Sequence, residues 1–213
     1  MIAIDGPERL SWLHTISSQH ITDLPDAGSA ENLSLDVNGR VEHHFVLTDL
    51  DGTLWIDTEH ENGPGLLTFL KKMVFWAKAS PRDANDHAVL SLVGPDAATV
   101  LDDLPTQDYR ATTLPGGGFV RKMPWPTPHA YDLIVPRDQL STWWTRLTEA
   151  GANPAGLWAF EALRVAAVRP RIGLDTDDRT IPHEVRWIGG IEDAGAVHLE
   201  KGCYRGQETV ARV

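Results

Sequence analysis

The chain has 213 residues, enough for one large domain or two small ones with a real core. Its 42% hydrophobic content is that of an ordinary globular protein, and its longest apolar runs are far too short to cross a bilayer. With 19 basic and 30 acidic residues the net charge is −11, which disfavours tight direct binding to nucleic acid; the tightest arginine cluster, VRPRIG at 168–173, reads as a solvated turn.

Met1 leads into IAIDGPERL, with no basic region followed by an apolar one, so no signal peptide is expected. Residues 2–13, IAIDGPERLSWL, read as a short strand, a Gly-Pro step and an amphipathic helix. Proline suits a first helical turn, where its missing N–H costs nothing. Residues 41–48 (VEHHFVLT), 49–52 (DLDG) and 53–57 (TLWID) read as a hairpin. His43 and His44 point to opposite faces of that strand and cannot share a metal. The spacing of Leu66, Leu67, Leu70, Met73, Val74 and Ala77 predicts an amphipathic helix over 63–79. Residues 90–101, LSLVGPDAATVL, echo the opening stretch about 90 residues later. A third stretch, YDLIVPRDQLSTWWTRL at 131–147, repeats strand, proline and helix without the glycine. PGGGF at 115–119 reads as a flexible turn and 155–167 as a helix, whereas 168–200 is loop-like, and so long a loop is more often functional than not. The expected architecture is α+β, with mixed, mostly antiparallel sheets and packed helices, in two interleaved α+β units.

Several chemistries have no support. GxGxxG, GxxxxGK[ST] and GxSxG are all absent. Asp177 and Asp178 lack the spaced ligands of a calcium loop, and His183-Glu184 lacks the second histidine of a zinc helix, so no metal is expected. What remains is the close of the chain, KGCYRGQETVARV. Cys203 is the only cysteine, so no intramolecular disulfide forms and thiol chemistry needs a reducing compartment; a cytoplasmic protein is expected. Lys201, two residues away, and a helix opening at GQETVAR both favour a thiolate. Gly202 and Gly206 let the backbone turn tightly, and Gln207 and Glu208 are expected to hold the turn through nearby backbone N–H groups.

The spelling of Lys201, Gly202, Cys203, Tyr204, Gly206, Gln207, Glu208 and Arg212 resembles the signature of the YgfZ proteins, folate-binding relatives of the glycine-cleavage T protein. The opening strand, Gly6 and SWLHTISSQHITDL resemble that family's first helix, VNGRV at 37–41 its glycine turn, and TIPHE at 180–184 its proline-containing loop. The resemblance implies a T-protein-like fold, with residues 1–213 as the N-terminal folate-binding region and tetrahydrofolate or a one-carbon derivative as ligand. It implies a role in assembling or repairing iron–sulfur enzymes, including some that thiolate tRNA, with Cys203 as the functional or catalytic thiol. The implied partners are a reduced folate and iron–sulfur client or assembly proteins; the short apolar runs, separately, lead to no membrane partner being expected. A family tryptophan linked to folate falls at Trp158 or Phe160, either of which can stack on a pterin.

Departures accompany the match. Family members continue past the signature into a C-terminal barrel-like domain, whereas this sequence stops at Val213, so a fragment or a late-start gene reading is expected. A glutamate and a glycine common near the end of the family's folate helix are Ala166 and Val168 here. The runner-up is a tetrahydrofolate-dependent aminomethyltransferase. It carries an acid in the segment aligned with EHENGPGLL, where this chain has Pro64 or Gly65, and lacks the KGCY spelling. The resemblance therefore implies an accessory protein rather than a classical aminomethyltransferase. A non-catalytic partner-binding scaffold is the third reading, separated from the first by folate titration.

Overall fold

The structure is a computed structural model and describes residues 1–213. The chain divides into two compact units, one of residues 1–84 with 170–213 and one of residues 85–169.

The first unit opens with β1 (Ile2–Asp5), α1 (Arg9–Ile16), β2 (Gly28–Leu35), β3 (Val41–Leu50), β4 (Thr53–Asp57), α2 (Gly63–Met73) and β5 (Ser80–Asp83). Its five strands form a sheet in the order β2-β3-β4-β1-β5, with every neighbour antiparallel. The expected hairpin is β3 and β4, in register from Val46 opposite Asp57 to Leu50 opposite Thr53. Alternation places Ile2, Ile4, Phe45, Leu47, Leu54 and Ile56 on one face, where Trp12 and Leu13 of α1 and Leu66 and Leu70 of α2 close the core. α2 stops at Met73, short of the expected Ala79. The Trp12 indole donates to Met73 O at 2.9 Å and Phe75 takes a left-handed φ of +43°, so tertiary contact ends a helix that the apolar spacing would have continued.

The second unit holds β6 (His87–Val93), α3 (Ala97–Val100), β7 (Ala111–Thr113), β8 (Phe119–Met123), β9 (Ala130–Pro136), α4 (Leu140–Glu149) and α5 (Leu157–Ala166). Its sheet runs β6-β9-β8-β7, again antiparallel throughout. Leu92, Val120, Leu133 and Val135 pack with Trp143 and Leu147 of α4. Both Gly-Pro steps follow a strand, but the second leads into a single helical turn, α3, where the first leads into the eight residues of α1.

Returning to the first unit, residues 170–206 are irregular apart from short 3-10 turns at Pro182–Val185 and Ile191–Asp193, and α6 (Gln207–Val210) follows. Trp187, Ala196, Val197 and Val210 bury against Leu33, Leu35 and Val41, so the irregular stretch has a small core of its own at the β2–β3 end of the sheet. The fold is the α+β arrangement of antiparallel sheets and packed helices that the sequence predicts.

Candidate functional site

The site is built around residues 201–208. Cys203 is exposed and its thiol is free. Gln207 closes the loop beneath it: Oε1 accepts from the Tyr204 N–H at 2.8 Å, the Gln207 N–H donates to Tyr204 O at 3.3 Å, and Nε2 approaches Cys203 Sγ at 3.9 Å. Tyr204 lies against the Leu33–Val41–Trp187 cluster, and burial pushes its phenol up to about 12. Gly206 has a φ of +83°, and a side chain there would meet Asp36 O and, at 2.9 Å, the Gly39 Cα. The loop is therefore seated backbone to backbone on the Asp36–Arg40 turn. That turn is itself closed by Asp36 Oδ1, which accepts from Asn38 N–H at 2.7 Å and Arg40 N–H at 2.8 Å. Burial raises the Asp36 pKa, but these amide bonds outweigh it and the carboxyl is held below its usual value. Arg205 adds a two-pronged pair to Glu42 at 2.8 and 3.4 Å.

Lys201 fastens the other end of the loop. It is 8% exposed, and its ammonium donates to His14 O and to Ser17 O, the latter at 2.6 Å. These carbonyls belong to the last turn and C-cap of α1, where backbone acceptors lack helical partners and a cation meets the negative end of the helix dipole. The ammonium also lies 4.8 Å from the centre of the Tyr204 ring. Burial pulls the Lys201 pKa down to about 8, so at neutral pH it remains the charged donor this arrangement needs. Lys201 was expected to favour the Cys203 thiolate. Instead its ammonium holds the end of α1, with left-handed Gly202 (φ +94°) between the buried lysine and the exposed cysteine. Glu208 likewise pairs with Arg212 at 3.7 Å on an open surface, a contact that contributes little, and not with the backbone.

The anchoring end of α1 rests on a buried polar hub that sequence reading missed. Asn32 of β2 is fully buried; its Oδ1 accepts from the Ser18 and Gln19 N–H groups at 3.0 and 2.9 Å, and its Nδ2 donates to Ser17 Oγ at 2.9 Å. Ser18 Oγ then donates to Ala196 O at 2.7 Å, Gln19 Nε2 to Gly195 O at 2.8 Å, and the His198 N–H to Ser18 O at 3.0 Å. Three imidazoles line the same junction, with ring centres 4.9 Å apart for His14–His20 and 5.4 Å for His20–His198. Burial, reinforced by the Lys201 charge, lowers the His14 pKa. The sequence carries little signal for the hub, because β2 reads GSAENLSL, with four polar residues among its eight buried positions.

The proline-containing loop runs beside the start of β3, where the Val41 N–H donates to Thr180 O at 2.9 Å and Glu184 accepts from the Ile181 N–H. His44 bonds to buried Glu31 at 2.9 Å and stacks on Trp187, while burial lowers the pKa of His43. Trp158 and Phe160 belong to α5 of the second unit. Trp158 is 87% exposed, whereas Phe160 is half-buried and meets Trp125 edge-on at 6.5 Å.

Known proteins share this architecture. The family profile of the GCVT N-terminal domain matches residues 1–188. The chain is 26% identical to an aminomethyltransferase of Rubrobacter xylanophilus, over 94% of its own length and 55% of that protein. It is 24% identical to a chloroplastic protein of Arabidopsis thaliana named provisionally as a transferase, over 100% of its own length and 50% of that protein. The crystal structure of the glycine cleavage system aminomethyltransferase T from Bartonella henselae superposes with a TM-score of 0.85 at 20% identity, covering 99% of this chain and 59% of that one, a likeness of fold. The chain thus spans about half the length of these two curated relatives.

Proposed function

The chain belongs to the GCVT N-terminal domain family, and from that premise we propose that residues 1–213 form the reduced-folate-binding region of a YgfZ-type accessory protein. In this reading the protein supports the assembly or repair of iron–sulfur enzymes, some of them tRNA-thiolating, with Cys203 as the working thiol. The observation that carries the reading is the KGCYRGQE loop. Its thiol is exposed while Lys201, Gly206 and Gln207 hold the surrounding backbone down. A loop kept only for packing has no need of an open sulfur above so many backbone fastenings. A cytoplasmic, reducing setting belongs to the proposal, since the chemistry needs the free thiol. No helix is long and apolar enough to cross a membrane.

A reduced folate supplies a pterin ring to stack and a one-carbon unit to carry. Trp158 fits the stacking role better than Phe160, because its indole is open while Phe160 already packs against Trp125. Offset stacking contributes about 0.5–1.5 kcal/mol beyond burial, so Trp158→Ala is expected to weaken tetrahydrofolate binding by about threefold to tenfold. Calorimetric titration of the full-length protein, the Trp158→Ala variant and the Phe160→Ala variant tests this. No binding of any reduced folate to the intact protein would overturn the folate reading and leave the partner-binding scaffold.

The second reading, a tetrahydrofolate-dependent aminomethyltransferase, is favoured by the names of the relatives. Against it stand Pro64 and Gly65, in the first turn of α2, where that chemistry uses an acid. Release of a methylene group from an aminomethylated carrier protein onto tetrahydrofolate would decide for it.

A further inference from the structure

The turn between α2 and β5 carries a feature that neither folate nor Cys203 uses. Phe75 is 75% exposed and its neighbour Trp76 97%, the latter the most open aromatic side chain of the chain. The turn is pinned at both feet. The Trp12 indole donates to Met73 O, the Ala77 N–H to Val74 O at 2.9 Å, the Glu8 N–H to Lys78 O at 3.2 Å, and the Lys78 N–H to Glu8 Oε2 at 2.8 Å. Ala79 is then buried in the core. Phe75 is held at a φ of +43°, a backbone state that bulky side chains rarely adopt. Strain of this kind persists where the surrounding structure imposes it, and it clusters where it serves a function. Lys71, Lys72 and Lys78, which flank the two aromatics in sequence, are exposed, and none of them makes an ion pair.

We propose that this pinned turn, with Phe75 and Trp76 at its tip and Lys71, Lys72 and Lys78 around it, is a contact point for an anionic lipid surface. The rings and the ammonium groups match the two layers of such a surface: aromatic side chains settle at the headgroup level, and lysines are drawn to the negative leaflet. A protruding tip suits a soft interface, whereas a standard protein partner needs about 800 Å² of matched surface on each side. The chain as a whole carries −11, so its body is repelled by the same leaflet. Attraction acts within a Debye length of about 8 Å at physiological ionic strength, so contact is confined to the tip and is weak, reversible and salt-sensitive. The expectation of no membrane partner rested on the lack of a spanning segment, which a surface contact does not need.

The test is co-sedimentation of the full chain with vesicles of equal parts phosphatidylglycerol and phosphatidylcholine at low ionic strength, against vesicles of phosphatidylcholine alone. The wild type is expected to pellet with the anionic vesicles only. The bound fraction should fall about fivefold or more in Trp76→Ala, in the combined Lys71→Ala, Lys72→Ala, Lys78→Ala variant, and on raising the salt. Phe75→Gly supplies a readout that a structural role would not give: it should lose vesicle binding while its melting temperature stays level or rises, because glycine relieves the left-handed strain. Failure of the wild type to bind anionic vesicles overturns the proposal. So does equal binding to neutral vesicles, or binding undiminished in the Trp76 and lysine variants.

Discussion

Gly206→Ala is expected to unseat the signature loop. The new methyl group would collide with Asp36 O and lie 2.9 Å from the Gly39 Cα, both backbone atoms of a turn already closed by its own hydrogen bonds, so neither side can yield cheaply. The left-handed φ of +83° adds a penalty of about 1–2 kcal/mol for any L side chain, and overpacking typically adds about 1–3 more. A total of about 2–5 kcal/mol is large against the few contacts that hold α6, so local undocking should precede global unfolding. Gly202→Ala is the control. Its φ of +94° carries the conformational penalty, but nothing lies within 4 Å of the added methyl, so about 1–2 kcal/mol is expected. Limited proteolysis of residues 201–213 together with urea denaturation separates the two. Equal behaviour of the two variants would mean that the contact with the Asp36–Arg40 turn does not hold the loop.

Asn32→Ala should damage the same site from beneath. The substitution removes the acceptor of the Gln19 N–H and one of the acceptors of the Ser18 N–H, and it removes the donor to Ser17 Oγ, all in a region closed to water. Each stranded buried group costs about 1–3 kcal/mol, so a loss of about 2–4 kcal/mol is expected in urea denaturation. Because Lys201 is bonded to the carbonyls of His14 and Ser17, loosening this segment should also raise the proteolytic sensitivity of residues 198–208. Ser29→Ala removes a buried hydroxyl pair with Thr48 at 2.9 Å that does not bear on the loop. It should lower stability modestly and leave that sensitivity unchanged.

These two predictions rest on contacts of different legibility. The alternation of residues 41–57 carries its hairpin because each strand has one face on the core, and period two is visible in the letters. The signature glycines announce tight turns, and Gly206 makes one against the Asp36–Arg40 turn. The end of α2 was hidden, because the Trp12 indole that takes the Met73 carbonyl comes from 61 residues away. Asn32 was hidden for a related reason: its partners are backbone amides of Ser18 and Gln19, which every residue type offers equally. Lys201 misled by proximity. Two residues separate it from Cys203 in sequence, yet the stronger call on a buried ammonium comes from the unpaired carbonyls at the end of α1. Ala166 and Val168, departures already visible in sequence, lie at the end of α5 and just beyond it, where Val168 takes a left-handed φ of +54° that ordinarily suits glycine.

The central claim is that the exposed thiol of Cys203 is the working group of an accessory protein for iron–sulfur enzymes. Complementation tests it most directly. The full-length gene, wild type or carrying Cys203→Ser, is returned to a strain lacking it, and the activity of an iron–sulfur tRNA-thiolating enzyme is measured in extracts. Serine matches cysteine closely in size and the side chain is exposed, so the variant should fold and accumulate like the wild type. The account predicts that Cys203→Ser leaves the activity at the level of the deletion strain while tetrahydrofolate binding is retained. Full restoration of activity by Cys203→Ser would contradict it and reduce the thiol to a bystander on a structural loop.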